Sequence, residues 1–128
     1  MRTIDLSNDP RFSQKGKRNK YGNKKIVHGG IEFDSQKEAN RWSELWLLQR
    51  GKAITELERQ VRFELIPAQH DKHGKCIERS ISYVADFVYI DMKTGERIVE
   101  DTKGMKTPEY IMKRKLMLYY YGIRIREV

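Results

Sequence analysis

The sequence predicts a mixed α/β domain, an α+β arrangement on a mixed sheet, with elements in the order α-β-β-β-α-β. Three observations carry that expectation. A capped amphipathic helix signature spans residues 35–51, period-two apolar segments follow it, and a second capped helix signature precedes a short alternating C-terminal segment.

Residues 1–24 mix Asn, Ser, Gly, Lys and Arg with few apolar anchors and read as a flexible basic arm. Residues 25–128 read as the folded domain. Its first element is a short hairpin, Lys25 to Phe33, turning at Gly29-Gly30. Ser35-Gln36-Lys37-Glu38 has the spacing of a capping box and opens a helix that Gly51 stops. Ala39, Trp42, Leu45, Trp46 and Leu48 give that helix an apolar face.

Val61, Phe63 and Leu65 then alternate with Arg62 and Glu64 until Pro67. Ile54 to Leu57 either joins that strand or forms one of its own. Residues 68–75 read as a polar loop, and two strands follow, about Arg79 to Asp91 and Glu96 to Lys103, joined by residues 92–95. Thr107 and Pro108 open a second helix that ends before Gly122, and residues 123–128 alternate as a terminal strand. Tyr119-Tyr120-Tyr121 is expected to supply core and interface.

Composition narrows the class of protein. Of 128 residues, 38% are hydrophobic and 34% charged, with a net charge of +8. The longest apolar run is far shorter than the ~20 residues a bilayer span needs, and no signal-peptide pattern follows Met1. Cys76 is the lone cysteine, so internal disulfides are excluded and a reducing, cytoplasmic setting is expected. Residues 1–25 carry eight basic groups against two acidic ones, residues 26–100 carry 11 against 13, and residues 101–128 carry seven against three. Basic ends around a slightly acidic middle suit a polyanionic partner with acidic chemistry at the centre. A solvated basic tail is the competing reading.

The acidic chemistry has an address. Asp86 interrupts the apolar run from Tyr83 to Tyr89, and Asp101 sits in Val99-Glu100-Asp101-Thr102-Lys103. A hairpin that pairs Asp91 with Glu96 places Asp86 opposite Asp101, with Cβ atoms ~5 Å apart. Lys103 then shares their face and Glu100 points to the other. Two such carboxylates repel unless a proton or cation lies between them, and hard oxygen donors suit Mg²⁺ or Mn²⁺. A surface pair with a lysine salt bridge is the alternative. On a helical wheel, Glu38 falls near the middle of the apolar face of the first helix, with Glu44 at its edge. There Glu38 either reaches a metal on the sheet or serves only as the capping-box carboxylate.

With these residues in place, the sequence resembles the PD-(D/E)XK nuclease superfamily. Glu38 on the first helix, Asp86 on one hairpin strand and Asp101-Thr102-Lys103 on the next carry the likeness. Phe33-Asp34-Ser35 to Glu38, Leu57-Glu58-Arg59-Gln60, and Glu100-Asp101-Thr102-Lys103-Gly104 to Thr107-Pro108-Glu109-Tyr110 are similar to a family of small phage and prophage nucleases. Those enzymes are commonly regarded as related to Holliday-junction resolvases. Ala85 replaces the proline of the superfamily's name, and Asp101 stands where Glu is more frequent.

The resemblance implies a restriction-endonuclease-like core and an Mg²⁺-dependent DNA endonuclease, with Mn²⁺ as a substitute ion. Glu38, Asp86 and Asp101 would bind the metal, and Lys103 would assist catalysis. Branched DNA is the implied substrate and a homodimer the implied assembly, since resolving a four-way junction takes two matched cuts. Lys17, Arg18, Lys20, Lys24, Lys25, Gln60, Lys106, Lys113 and Lys115 are the expected DNA contacts, against solvated faces as the alternative. Two further readings stay open: a nicking, repair or transposition-type endonuclease acting on duplex DNA, and a non-catalytic DNA-binding module. His70, His73 and Cys76 have zinc-type side chains but match no established ligand spacing.

Overall fold

The computed structural model describes residues 25–103 and 106–128. The expected arm over residues 1–24, with Lys17, Arg18, Lys20 and Lys24, lies outside them. A hairpin of β1 (Ile26–His28) and β2 (Ile31–Phe33) leads into α1 (Gln36–Arg50). The Ser35 hydroxyl accepts the Glu38 amide at 3.1 Å, as the capping spacing predicts. The reciprocal half of the box is missing, because the Glu38 carboxylate turns elsewhere.

A four-stranded mixed sheet follows, built from β3 (Ile54–Ile66), β6 (Ile81–Asp91), β7 (Arg97–Asp101) and β8 (Arg126–Glu127) in that spatial order. β6 runs antiparallel to β3 and β7, and β8 lies parallel to β7. That last pairing needs a crossover, which α2 (Pro108–Tyr121) provides. The fold is therefore mixed α/β, with two helices and a mixed sheet, as the patterning predicts.

Several boundaries differ from expectation. Ile54–Leu57 belongs to one long β3, which tolerates the segment by shifting register between Thr55 and Glu58, around Glu56 with its positive φ. The polar loop over residues 68–75 instead flanks a second small hairpin, β4 (Gln69–His70) with β5 (Cys76–Glu78). Asp71 makes its turn by accepting the His73 and Lys75 amides. The strand starting at Arg79 begins at Ile81, and the one expected over Glu96–Lys103 covers Arg97–Asp101, leaving Lys103 just beyond it. The terminal strand shortens to Arg126–Glu127.

The two faces of the sheet pack against different helices. Phe87, Tyr89 and Ile54 pack with Phe33, Ala39 and Leu45 beneath α1 and the first hairpin. The cross-strand neighbours Val88 and Val99 join Val61, Phe63, Tyr83 and Met117 on the α2 side. Each such apolar side chain contributes about 1.5–3 kcal/mol by leaving water. The expected apolar face of α1 is only partly used, since Trp46 and Leu48 remain exposed.

The tyrosine run is likewise mostly outside the core. Tyr119 and Tyr120 are exposed, and only Tyr121 reaches back, bonding the Glu64 carbonyl at 2.6 Å and edging Phe63. Among the described residues, no helix is long and apolar enough to cross a membrane.

α2 stops at Gly122, whose left-handed φ of +67° lets its amide close on the Leu118 carbonyl at 3.0 Å. Gly122→Ala forces a Cβ into that conformation and costs about 1 kcal/mol. Thermal melting is expected to show a loss of roughly 2–5 °C. An unchanged melting point would mean that the helix end is not held by this cap.

Candidate functional site

The β6–β7 register pairs Phe87 with Glu100 and Ile90 with Arg97, as a four-residue loop over 92–95 requires. Its turn is closed by the Asp91 amide on the Glu96 carbonyl and by the Gly95 amide on the Asp91 carbonyl. The observed pairing ends at Phe87 and Glu100, and Asp86 and Asp101 are the next residues along the two strands. Contact persists there, because Asp86 Oδ2 accepts the Thr102 amide at 2.7 Å and the Thr102 hydroxyl at 2.8 Å.

Both carboxylates are buried, Asp86 2% and Asp101 1% exposed. Asp101 Oδ2 accepts the Tyr83 hydroxyl at 2.7 Å, and Oδ1 accepts the Lys103 amide at 2.8 Å. These bonds fix the two acids to the two central strands of the sheet. They also offset part of the cost of burying charge. Thr102 and Tyr83 are partners that sequence reasoning missed. Tyr83 had a signal, an aromatic hydroxyl in the same strand as Asp86.

Glu38 arrives from the first turn of α1 and is 3% exposed. Its Oε1 accepts Gln60 Nε2 at 3.3 Å. Gln60 holds a left-handed backbone (φ +55°), rare for a residue with a side chain and costing ~1–3 kcal/mol. Gln60, expected as a DNA contact, is placed as a hydrogen-bond partner of Glu38.

A cavity of about 870 Å³ opens over this cluster, bounded by Glu38, Asp101, Thr102 and Lys103 and by α2 residues including Tyr110 and Lys113. The N-caps of both helices, Ser35 and Thr107, border it, as does Lys37, which the sequence did not single out. Lys113 reaches the cavity while paired to Glu109 at 3.1 Å. Lys25 pairs with Glu32 at 3.2 Å and Lys106 with Glu127 at 3.8 Å. Lys115 is exposed, and neither it, Lys25 nor Lys106 borders the cavity.

Burial dominates the electrostatics of these acids, with neighbouring negative charge adding to it. Burial, then the charges of Asp86 and Asp34, push the Glu38 carboxyl up from 4.5 to about 7, against Arg59 and Lys103. Burial also raises Asp86, with Asp101 adding to it and the Thr102 bonds opposing it. A carboxyl whose pKa is higher folded than unfolded stabilises the fold in full below about 4.5 and loses that contribution as pH rises through about 7. The metal-free protein should therefore melt lower at pH 8 than at pH 5. Glu38→Gln should flatten that slope and melt higher than wild type at pH 8. A variant that steepens it would refute the assignment of the strain to Glu38.

Hard oxygen donors of this kind fit Mg²⁺ or Mn²⁺. Among the described residues, no three His, Cys, Asp or Glu side chains already surround a common point. His70, His73 and Cys76 form no such group either. His70 and Cys76 are cross-strand neighbours, and the Cys76 thiol donates to the Glu78 carbonyl.

Residues 18–127 match the family model described as Protein of unknown function (DUF1064). No curated protein and no solved structure matches the chain.

Proposed function

The chain belongs to the DUF1064 family, and for this member we propose a metal-dependent DNA endonuclease that hydrolyses phosphodiester bonds in branched DNA. One observation carries the reading. Three carboxylates from three separate elements, Glu38, Asp86 and Asp101, are buried with Asp86 acting as a neighbouring charge on Glu38 and Asp101 on Asp86, and Glu38, Asp101 and Lys103 line one cavity. Burying three acids together is costly, and a stability role does not account for it. The order α1-β3-β6-β7-α2-β8 and the Asp101-Thr102-Lys103 segment support a nuclease-type core through the resemblance described above.

In this reading Asp86 and Asp101 hold Mg²⁺ or Mn²⁺, with Glu38 closing the site from α1. Such an ion, when bound, supplies Lewis-acid charge and makes water more acidic. Lys103 follows Asp101 by two residues and faces the cavity, where its ammonium offsets charge growing on the phosphate oxygens. Gln60 keeps one Glu38 oxygen engaged and so orients the other. Thr102 does the same for Asp86 by engaging Oδ2, so that Oδ1 would be the oxygen available to hold the ion. Lys37 and Lys113 at the rim contact flanking phosphates. Two copies related by a two-fold axis would place two such sites on one junction.

The test is cleavage of a labelled synthetic four-way junction, beside linear duplex of the same sequence, with Mg²⁺, Mn²⁺ or chelator. Metal-dependent cutting that favours the junction is expected. Equal cutting of both would move the reading to a duplex endonuclease, and salt-sensitive binding without cutting under any metal would leave a DNA-binding module.

A further inference from the structure

The opposite side of β7 carries a second buried acid. Glu100 is fully buried, next in sequence to Asp101 but on the α1 side of the sheet. The Arg41 guanidinium grips it with two bonds, Nε to Oε1 at 2.7 Å and Nη2 to Oε2 at 2.6 Å. The Tyr89 hydroxyl donates to the same Oε2, and Arg126, cross-strand neighbour of Glu100 on β8, comes within 3.5 Å of that hydroxyl. Arg41 also reaches Glu44 at 2.8 Å.

Stability does not explain this arrangement, because a buried ion pair is at best comparable with well-packed apolar residues of the same size. What it supplies is direction. Ala39 and Leu45 hold α1 to the sheet through contacts that tolerate sliding, whereas a two-pronged guanidinium–carboxylate pair has one good orientation. Its two ends lie beside the candidate metal site: Arg41 is three residues on from Glu38 along α1, and Glu100 precedes Asp101.

We infer that Arg41 and Glu100 are positioning residues that set the reach of Glu38 toward Asp86 and Asp101, and so the affinity of the metal centre. This rests on the endonuclease reading, in which those three acids hold the ion. The pair acts through the placement of α1 and touches neither metal nor DNA.

The test replaces the cluster by apolar residues without changing net charge, in the triple variant Arg41→Met, Glu100→Leu, Tyr89→Phe. Mn²⁺ binding to the whole chain is followed by electron paramagnetic resonance, with thermal melting alongside. The melting point should stay within a few degrees of wild type while the Mn²⁺ dissociation constant rises about 10-fold or more, as when groups supporting metal ligands are lost. Glu100→Gln, which keeps the shape but breaks the charged fork, should shift affinity in the same direction and decides the matter if the triple variant does not fold. Wild-type Mn²⁺ affinity in the folded variants would overturn the positioning role and leave the endonuclease reading standing. Wild-type protein whose Mn²⁺ binding is no better than that of Asp86→Asn, and which cuts no DNA, would overturn both.

Discussion

Replacing Asp86 or Asp101 by alanine is expected to lower DNA cleavage on the order of a thousandfold while leaving DNA binding largely intact. The reason is the division of labour at the site. In the proposed reading the buried acids would serve the ion, whereas phosphate contacts would come from lysines at the rim of the cavity. The two alanine variants differ in stability. Asp101→Ala strips the Tyr83 hydroxyl of its acceptor, and Asp86→Ala strips two donors of Thr102, each about 1–3 kcal/mol if left unpaired.

Asp86→Asn separates chemistry from fold. Its amide oxygen can still accept from Thr102, and it removes a carboxylate whose charged form burial disfavours. It should therefore be as inactive as the alanine variant yet melt at or above wild type at pH 8. Retained cleavage in Asp86→Asn or Asp101→Ala, measured by single-turnover kinetics, would remove these residues from the active site.

Phe87→Ala is expected to be the most damaging single change to stability, at about 3–5 kcal/mol. Phe87 is fully buried at the centre of the sheet, stacked on Trp42 at 6.1 Å, and Trp42 in turn meets Phe33 at 6.2 Å. Removing the ring opens a cavity where α1, the first hairpin and β6 meet. A fall in melting point of roughly 10–20 °C follows from that loss. Leu47→Ala on the same helix, 64% exposed, should cost less than about 0.5 kcal/mol. Equal effects of the two changes in urea unfolding would contradict the core described here.

Local signals in the sequence were enough for the helices and for the central hairpin. Ser35, Thr107, Pro108 and Gly122 act within one turn of themselves, and the four-residue loop over 92–95 sets the β6–β7 register without help from the rest of the chain. From that register came the Asp86–Asp101 juxtaposition, the separate direction of Glu100, and, with the helical period of α1, the burial of Glu38. What stayed hidden depends on contacts between distant segments. Arg41 and Glu100 are 59 positions apart, and no periodicity announces their pairing. Gln60 reaches Glu38 from a left-handed backbone that no turn residue marks. The exposure of Trp46, Leu48 and Tyr119 was misread because amphipathic spacing reports an apolar face, not whether the fold covers it.

The proposed metal centre is tested most directly by anomalous diffraction from crystals equilibrated with Mn²⁺ at pH 8. A single strong peak at about 2–2.5 Å from carboxylate oxygens of Asp86 and Asp101, with Glu38 turned toward it, is the expected result. No ion at these residues, with Glu38 still bonded only to Gln60, would contradict a metal-dependent site.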